Sequence, residues 1–166
     1  MRLKSLPGGL LLAVGLTGFG SVWAQSAQPA GITLNTFAEV EKKRTDSVVE
    51  RYLLTPADHV VAGDQLVYTV EIRNTTTHSR DGVTVTNPIP ERMGYIASSA
   101  AGPGCDIDFS VDGALSFAKP EGLLITLPAG RTRPATAADY THIRWKLKYA
   151  LSGNTTAFAR FRATLK

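Results

Sequence analysis

Few residues of this chain stand in arrangements that do chemistry. Its three histidines, His59, His78 and His142, are far apart in sequence. None falls in the H-x-H, H-x-x-x-H or H-E-x-x-H spacings that bring imidazoles together on one metal or one water. They read as loop and strand-edge residues. The run Asp106-Ile107-Asp108-Phe109-Ser110-Val111-Asp112-Gly113 offers an oxygen at every second position, as a calcium loop does. Its glycine comes two residues late, however, and Phe117 stands where the closing glutamate belongs. Acids on the solvent face of a strand account for the pattern as well. Ser98 and Ser99 have no histidine or acid beside them, and there is no G-x-S-x-G elbow or phosphate-binding G-K-T loop. A hydrolase would need a nucleophile and base brought together by the fold. The expectation is a chain with no catalytic residue, no metal and no cofactor. Cys105, the single cysteine, follows Gly102-Pro103-Gly104. It reads as a small half-buried residue at a strand start, with a reactive or dimer-forming thiol as the alternative. A lone cysteine allows no internal disulfide.

The charges are more informative. The 166 residues carry 18 Lys+Arg and 14 Asp+Glu, net +4. Residues 25–112 hold 7 basic and 12 acidic residues, net −5, while 113–166 hold 9 basic and 2 acidic, net +7. Arg144, Lys146 and Lys148 alternate with Ile143, Trp145, Leu147 and Tyr149; Arg160 and Arg162 alternate with Ala159, Phe161 and Ala163. If these last two strands pair through the turn at Gly153, the five cations form one basic ladder. Like charges placed opposite each other cost about 0.2–1 kcal/mol per pair, so the ladder needs counter-charge. Glu39, Glu41, Glu50 or Glu71 on a neighbouring strand would supply it; an anionic partner is the alternative. The −5 and +7 segments also suggest head-to-tail self-association. Nucleic acid is not expected, since Phe158 alone offers an exposed aromatic beside the cations.

Those side chains need a scaffold, and the sequence supplies strands. Leu66, Tyr68, Val70 and Ile72 alternate with Val67, Thr69, Glu71 and Arg73, a period of two with one apolar face. Val83–Ile89, Met93–Ala97, Ile107–Val111, Leu123–Leu127, Ile143–Tyr149 and Ala157–Leu165 follow the same logic, as do Ile32–Val40 and Val48–Thr55. Glu41–Asp46 reads as a charged turn, and Arg131–Asp139 as a long crossing loop. Asp112-Gly113 marks a hairpin, with a three-residue loop placing Val111 opposite Leu115 and Phe109 opposite Phe117. No segment shows a 3.6-residue stripe. The spacing predicts eight to ten short strands of an antiparallel sandwich.

The chain opens with Arg2 and Lys4, then an apolar run from Leu6 to Gly20, then Val22-Trp23-Ala24. This reads as a signal peptide, residues 1–24, cleaved after Ala24. A flexible leader, 25–31, and one domain, 32–166, would follow. No membrane segment is expected after cleavage, and the protein would be exported, to the periplasm or beyond.

Ala62-Gly63-Asp64-Gln65-Leu66-Val67-Tyr68-Thr69-Val70-Glu71-Ile72-Arg73-Asn74 resembles a known opening signature, a Gly-Asp turn feeding a Tyr-Thr strand that ends at Asn. Val83-Thr84-Val85-Thr86-Asn87-Pro88-Ile89-Pro90 resembles the signature that follows it. Together they are similar to the prokaryotic surface-protein "conserved repeat" domain, catalogued as domain of unknown function number eleven. The resemblance covers Val61 to Tyr95 closely and the rest, including Trp145, more loosely. It implies an immunoglobulin-like β-sandwich of the Greek-key type on a secreted or cell-surface protein. It carries no catalytic residues and implies structural roles for Gly63, Asp64, Tyr68, Asn74, Pro88 and Trp145. Family members often occur in tandem arrays, whereas this chain holds one copy. The functional expectation is a non-enzymatic structural or protein-interaction module of the bacterial envelope, with envelope or surface proteins, or itself, as partner. A module binding an acidic glycan or other anion through its basic sheet face is the alternative.

Overall fold

The computed structural model describes residues 30–46 and 49–166. The expected signal segment, and most of the leader, lie outside the described residues. No helix among the described residues is long and apolar enough to cross a membrane.

The fold is all-β and antiparallel, with no disulfide. Among the described residues ten strands run in chain order: β1 Ile32–Asp46, β2 Val49–Pro56, β3 Gln65–Asn74, β4 Thr84–Pro88, β5 Met93–Tyr95, β6 Cys105–Ser110, β7 Leu124–Thr126, β8 Thr132–Pro134, β9 His142–Leu147 and β10 Thr156–Leu165. A five-stranded sheet has the order β2-β1-β3-β10-β5, and a three-stranded sheet the order β4-β9-β6; β7 and β8 form a separate hairpin. The core lies between the two larger sheets. Tyr68 of β3 stacks on Phe161 of β10, ring centroids 4.8 Å apart, and Trp145 of β9 approaches the same Phe161 at 6.3 Å. Tyr95, Phe109 and Tyr140 pack together where β5 and β6 approach. This two-sheet arrangement is compatible with the immunoglobulin-like sandwich the resemblance implies.

The positions that resembled a signature sit at joints of this frame. Gly63 has φ +94° and donates its N–H to the Leu165 carbonyl at 2.8 Å. The Asp64 carboxylate accepts the Val61 N–H at 2.9 Å and closes the turn. Tyr68 and Trp145 fill the core, and Pro88 ends β4 opposite His142. Asn74 is fully buried and ties two loops together. Its amide donates to the carbonyls of His78, Leu151 and Ser152 at 2.8, 2.9 and 3.2 Å, while its own oxygen accepts the Thr76 N–H and hydroxyl. A side chain on Gly153 would collide with the Thr77 backbone, so this loop junction accepts only glycine there.

Four local expectations are corrected. Glu41–Asp46 is not a turn but the second half of β1, paired with β2 from Asp46↔Val49 to Glu39↔Pro56. Charge alone does not stop a strand whose backbone has a partner to pair with. Arg131–Asp139 contains β8 and a short 3-10 turn rather than an unbroken crossing loop. Arg133 and Asp139 clamp it with two hydrogen bonds of 2.7 Å, and Asp139 also accepts from Thr136. The loop after β6 is one residue longer than expected, so Phe109 bridges Ala118, not Phe117. Ala114 absorbs the extra residue at φ +72°, the Asp112 carboxylate holds the turn through Ser110 and Ser116, and Leu115 is left 86% exposed. Finally, β9 and β10 do not pair: they belong to different sheets.

Candidate functional site

That last correction divides the basic ladder. On β9, Ile143, Trp145 and Leu147 point into the core, which sends Arg144 and Lys146 to the outer face, with Lys148 just beyond. The neighbouring β6 sets Asp108 opposite Arg144 and Asp106 opposite Lys146. Asp108 gathers three cations: Arg144 Nη2 at 3.0 Å, Lys119 Nζ at 3.1 Å and Lys146 Nζ at 3.3 Å. Its side chain is only 10% exposed. Burial alone would push this carboxyl up; hydrogen bonds from Arg144, Lys119 and Lys146 outweigh burial and hold it below the ordinary carboxylate range. Lys148 lies 3.9 Å from Asp106, and the Arg144 guanidinium rests 4.1 Å from the centre of the Phe117 ring. This face neutralises much of its charge internally.

Arg160 and Arg162 lie on the outer face of the five-stranded sheet instead. Arg162 is opposite Val67 and Arg160 opposite Thr69 in the β10–β3 register. Arg162 grips Glu41 of β1 with a forked contact, Nε at 3.1 Å and Nη2 at 3.1 Å. Glu41 is one of the four acids the sequence offered as counter-charge. Arg160 forms no ion pair among the described residues. Across β3 from it sits Phe37, and one row along, Phe158 faces Glu71.

The split has a topological cause. The two strands of the basic segment that join the larger sheets are each inserted between strands of the acidic one: β9 between β4 and β6, β10 between β3 and β5. The −5 and +7 segments therefore share sheets rather than forming two separate ends.

The other sequence candidates are dispersed. The Asp112 carboxylate is occupied by Ser116 and Ser110, which hold it down to about 2. Asp106 and Asp108 are engaged with cations, and no group of three or more His, Cys, Asp or Glu among the described residues could hold a metal. His142 Nδ1 is 3.1 Å from the Thr141 hydroxyl, and His78 Nδ1 is 3.2 Å from that of Thr77; no histidine of the described residues bonds a serine or cysteine. Ser99 instead exchanges hydrogen bonds with the Arg162 backbone. Cys105 is half-buried at the start of β6, where burial, with Asp106 nearby, pushes its thiol up.

The arm made by β1 and β2 was missed by sequence reasoning. The last β1–β3 pair is Val40↔Leu66, so Glu41–Asp46 pair with β2 alone and run past the body of the sheet. Tyr52, Leu53 and Leu54 on this arm are 60, 44 and 41% exposed. Phe37, Val60, Val61 and Phe158 add further exposed apolar surface on the same sheet or the loop leaving it. Elsewhere among the described residues the large exposed apolar side chains are Leu115, Leu124 and Tyr149, scattered over separate segments. The available signal was the absence of glycine, proline or asparagine within 41–46, where a turn needs one.

The chain matches no family model, no curated protein and no solved structure. What the geometry defines is a class: a two-sheet antiparallel β-fold with one charge-neutralised face and one mixed face on which Phe37, Tyr52, Leu54 and Phe158 stand exposed among polar side chains.

Proposed function

We propose that this chain is a non-enzymatic, exported interaction module of the bacterial cell envelope or exterior, of the conserved-repeat type. It docks through the five-stranded sheet and the arm that extends it. The observation that carries the reading is that Phe37, Tyr52, Leu54 and Phe158 stand exposed on one face of that sheet, opposite a face that pairs its own charges. Contiguous exposed apolar surface marks interaction sites in soluble domains. The test is affinity capture from envelope and culture-medium fractions with the wild-type chain and a Tyr52→Ser, Leu54→Ser variant. Partners held by the wild type and lost by the variant support docking; equal capture by both overturns it.

One observation favours a second reading, an acidic glycan or other anionic ligand. Arg160 pairs with no acid among the described residues and lies in the row of Phe37, one row from Phe158. A sugar stacked on an aromatic ring with its carboxylate on Arg160 would use both. Retention on an acidic polysaccharide that falls with salt, and falls further in Arg160→Ala, supports this reading. Retention unchanged by that substitution overturns it.

A further inference from the structure

We infer that β2 is the contact edge for a second copy of this chain. The two β2 strands pair antiparallel about Leu53, joining two five-stranded sheets into one. This rests on the docking role proposed above and names its partner.

The sheet edges are not alike. β5 is three residues long; β4 is five and ends at Pro88. The free side of β6 is bridged at Phe109 by Ala118, and its Ile107 carbonyl accepts the Lys119 amine at 2.7 Å. Short length, proline and lysine are the usual ways a sheet edge is kept from pairing with another chain. β2 has the least of these. It is eight residues long, has no lysine, has proline only at its last position, and carries Tyr52, Leu53 and Leu54 exposed at its centre. Where the arm overhangs β3 it is a ribbon of two strands, a form only marginally stable in water. A second copy turns that ribbon into four strands.

The sequence of β2 selects both the partner and the register. A continuous antiparallel pair related by a two-fold axis must place one residue opposite itself. Centred on Arg51, it opposes two like charges. Centred on Tyr52, it sets Arg51 opposite Leu53 and Glu50 opposite Leu54, burying apolar side chains against charge. Centred on Leu53, it sets Tyr52 opposite Leu54, Arg51 opposite Thr55 and Glu50 opposite Pro56. The charged beginning of one strand then meets the neutral end of the other. Behind them, Lys43 is the β1 partner of Tyr52 and Glu41 that of Leu54. Each row Tyr52–Leu54 across the junction is therefore bounded by Lys43 on one side and Glu41 on the other. The strand is its own complement, which a heterologous strand need not be.

Sedimentation of the purified full chain tests the pairing. The expected result is a concentration-dependent dimer, and Leu53→Lys, a change at a half-exposed arm position, is expected to return it to the protomer mass with its thermal transition retained. The register is tested by mild oxidation of Leu53→Cys in a Cys105→Ser background, with Leu115→Cys in the same background as the collision control. Selective cross-linking at position 53 supports the inference. A wild-type chain that sediments as a monomer throughout, or equal cross-linking at 53 and 115, overturns it. A monomer whose captured partners still depend on Tyr52 and Leu54 overturns only the self-pairing, not the docking role.

Discussion

The two outer faces of this molecule are built from similar materials and end in opposite states. Each carries cations on a strand whose other side fills the core. On the three-stranded sheet, β6 brings acids alongside the cations of β9, and the face pairs with itself around Asp108. On the five-stranded sheet, β10 lies beside β3, whose facing residues are Val67, Thr69 and Glu71. Arg162 there reaches over β3 to Glu41, and Phe37, Tyr52, Leu54 and Phe158 are left exposed on that face. Which strand becomes the neighbour thus decides whether a basic strand is internally satisfied or left facing outward.

The comparison breaks most easily at Asp108. Asp108→Ala leaves three cations around a vacated, mostly buried position, and removing hydrogen bonds to charged groups costs about 1.5–3 kcal/mol. We expect a loss near the top of that range in urea unfolding. Asp106→Ala is the control: its carboxylate is 54% exposed and its pair with Lys148 is long, so the change is expected to stay within about 0.5 kcal/mol. Equal small effects at both positions would mean that the face is not held by this network.

Acid should act on Asp108 and on two carboxylates that hold loops. Asp108 is held below the usual range and Asp112 down to about 2, and the Arg133 guanidinium with Thr136 holds Asp139 well below its ordinary value. An unfolded chain takes up these protons first, near pH ~3.9, so their contribution is complete above that pH and is lost as the pH falls through the folded values. His142 works in the same direction. Burial pushes its imidazole down, so acidification below about pH 6.5 charges the unfolded chain first and erodes stability. The thermal midpoint should therefore fall from pH 7 to pH 2 in two stages. His142→Gln should remove part of the first stage and Asp108→Asn part of the second. A midpoint that rises on acidification would contradict both assignments.

Much of the frame was legible because burial in a sheet has a period of two. The alternations in 66–72, 143–147 and 157–163 identify Tyr68, Ile72, Trp145 and Phe161 as core, and by the same count send Arg144, Lys146, Arg160 and Arg162 outward. Glu41 was legible as a counter-charge. The sheet to which each strand belongs was not. A turn at Gly153 reads as a hairpin, and what carries the chain to the other sheet instead is distant: Asn74 bonding the Leu151 and Ser152 carbonyls, and Gly153 lying against the Thr77 backbone. The Asp108 cluster was hidden for the same reason, since Lys119 arrives from a loop whose length was off by one residue. The arm was hidden because its charges imitate a turn.

A smaller effect is expected where the open face is tied down. Glu41 is the first β1 residue beyond the stretch paired with β3, and its forked contact with Arg162 fastens the root of the arm to β10. Arg162→Met keeps much of the side chain's bulk and removes the fork. The Glu41 side chain is only 11% exposed and that of Arg162 45%, so the loss should fall between the ~0.2–1 kcal/mol of an exposed pair and the ~1.5–3 kcal/mol of a hydrogen bond to a charged group. Amide exchange should nevertheless quicken in β2 and the outer half of β1 while the amides of β9 stay protected. Uniform acceleration, or none, would show that the arm is not a separable unit.

The smallest change in stability is expected where the largest change in binding is. Tyr52 and Leu54 leave much of their surface in water in the free chain, so little apolar burial is lost when both become serine. Surface substitutions away from caps, buried networks and the core generally stay within about 0.5 kcal/mol. The Tyr52→Ser, Leu54→Ser variant should therefore unfold at the wild-type denaturant concentration and yet fail to hold partners that the wild type retains. Asp108→Ala should do the reverse, losing stability while keeping those partners as long as it remains folded. If the arm variant instead unfolds early, Tyr52 and Leu54 belong to the structure of the domain rather than to its contacts, and the open face is not the working one.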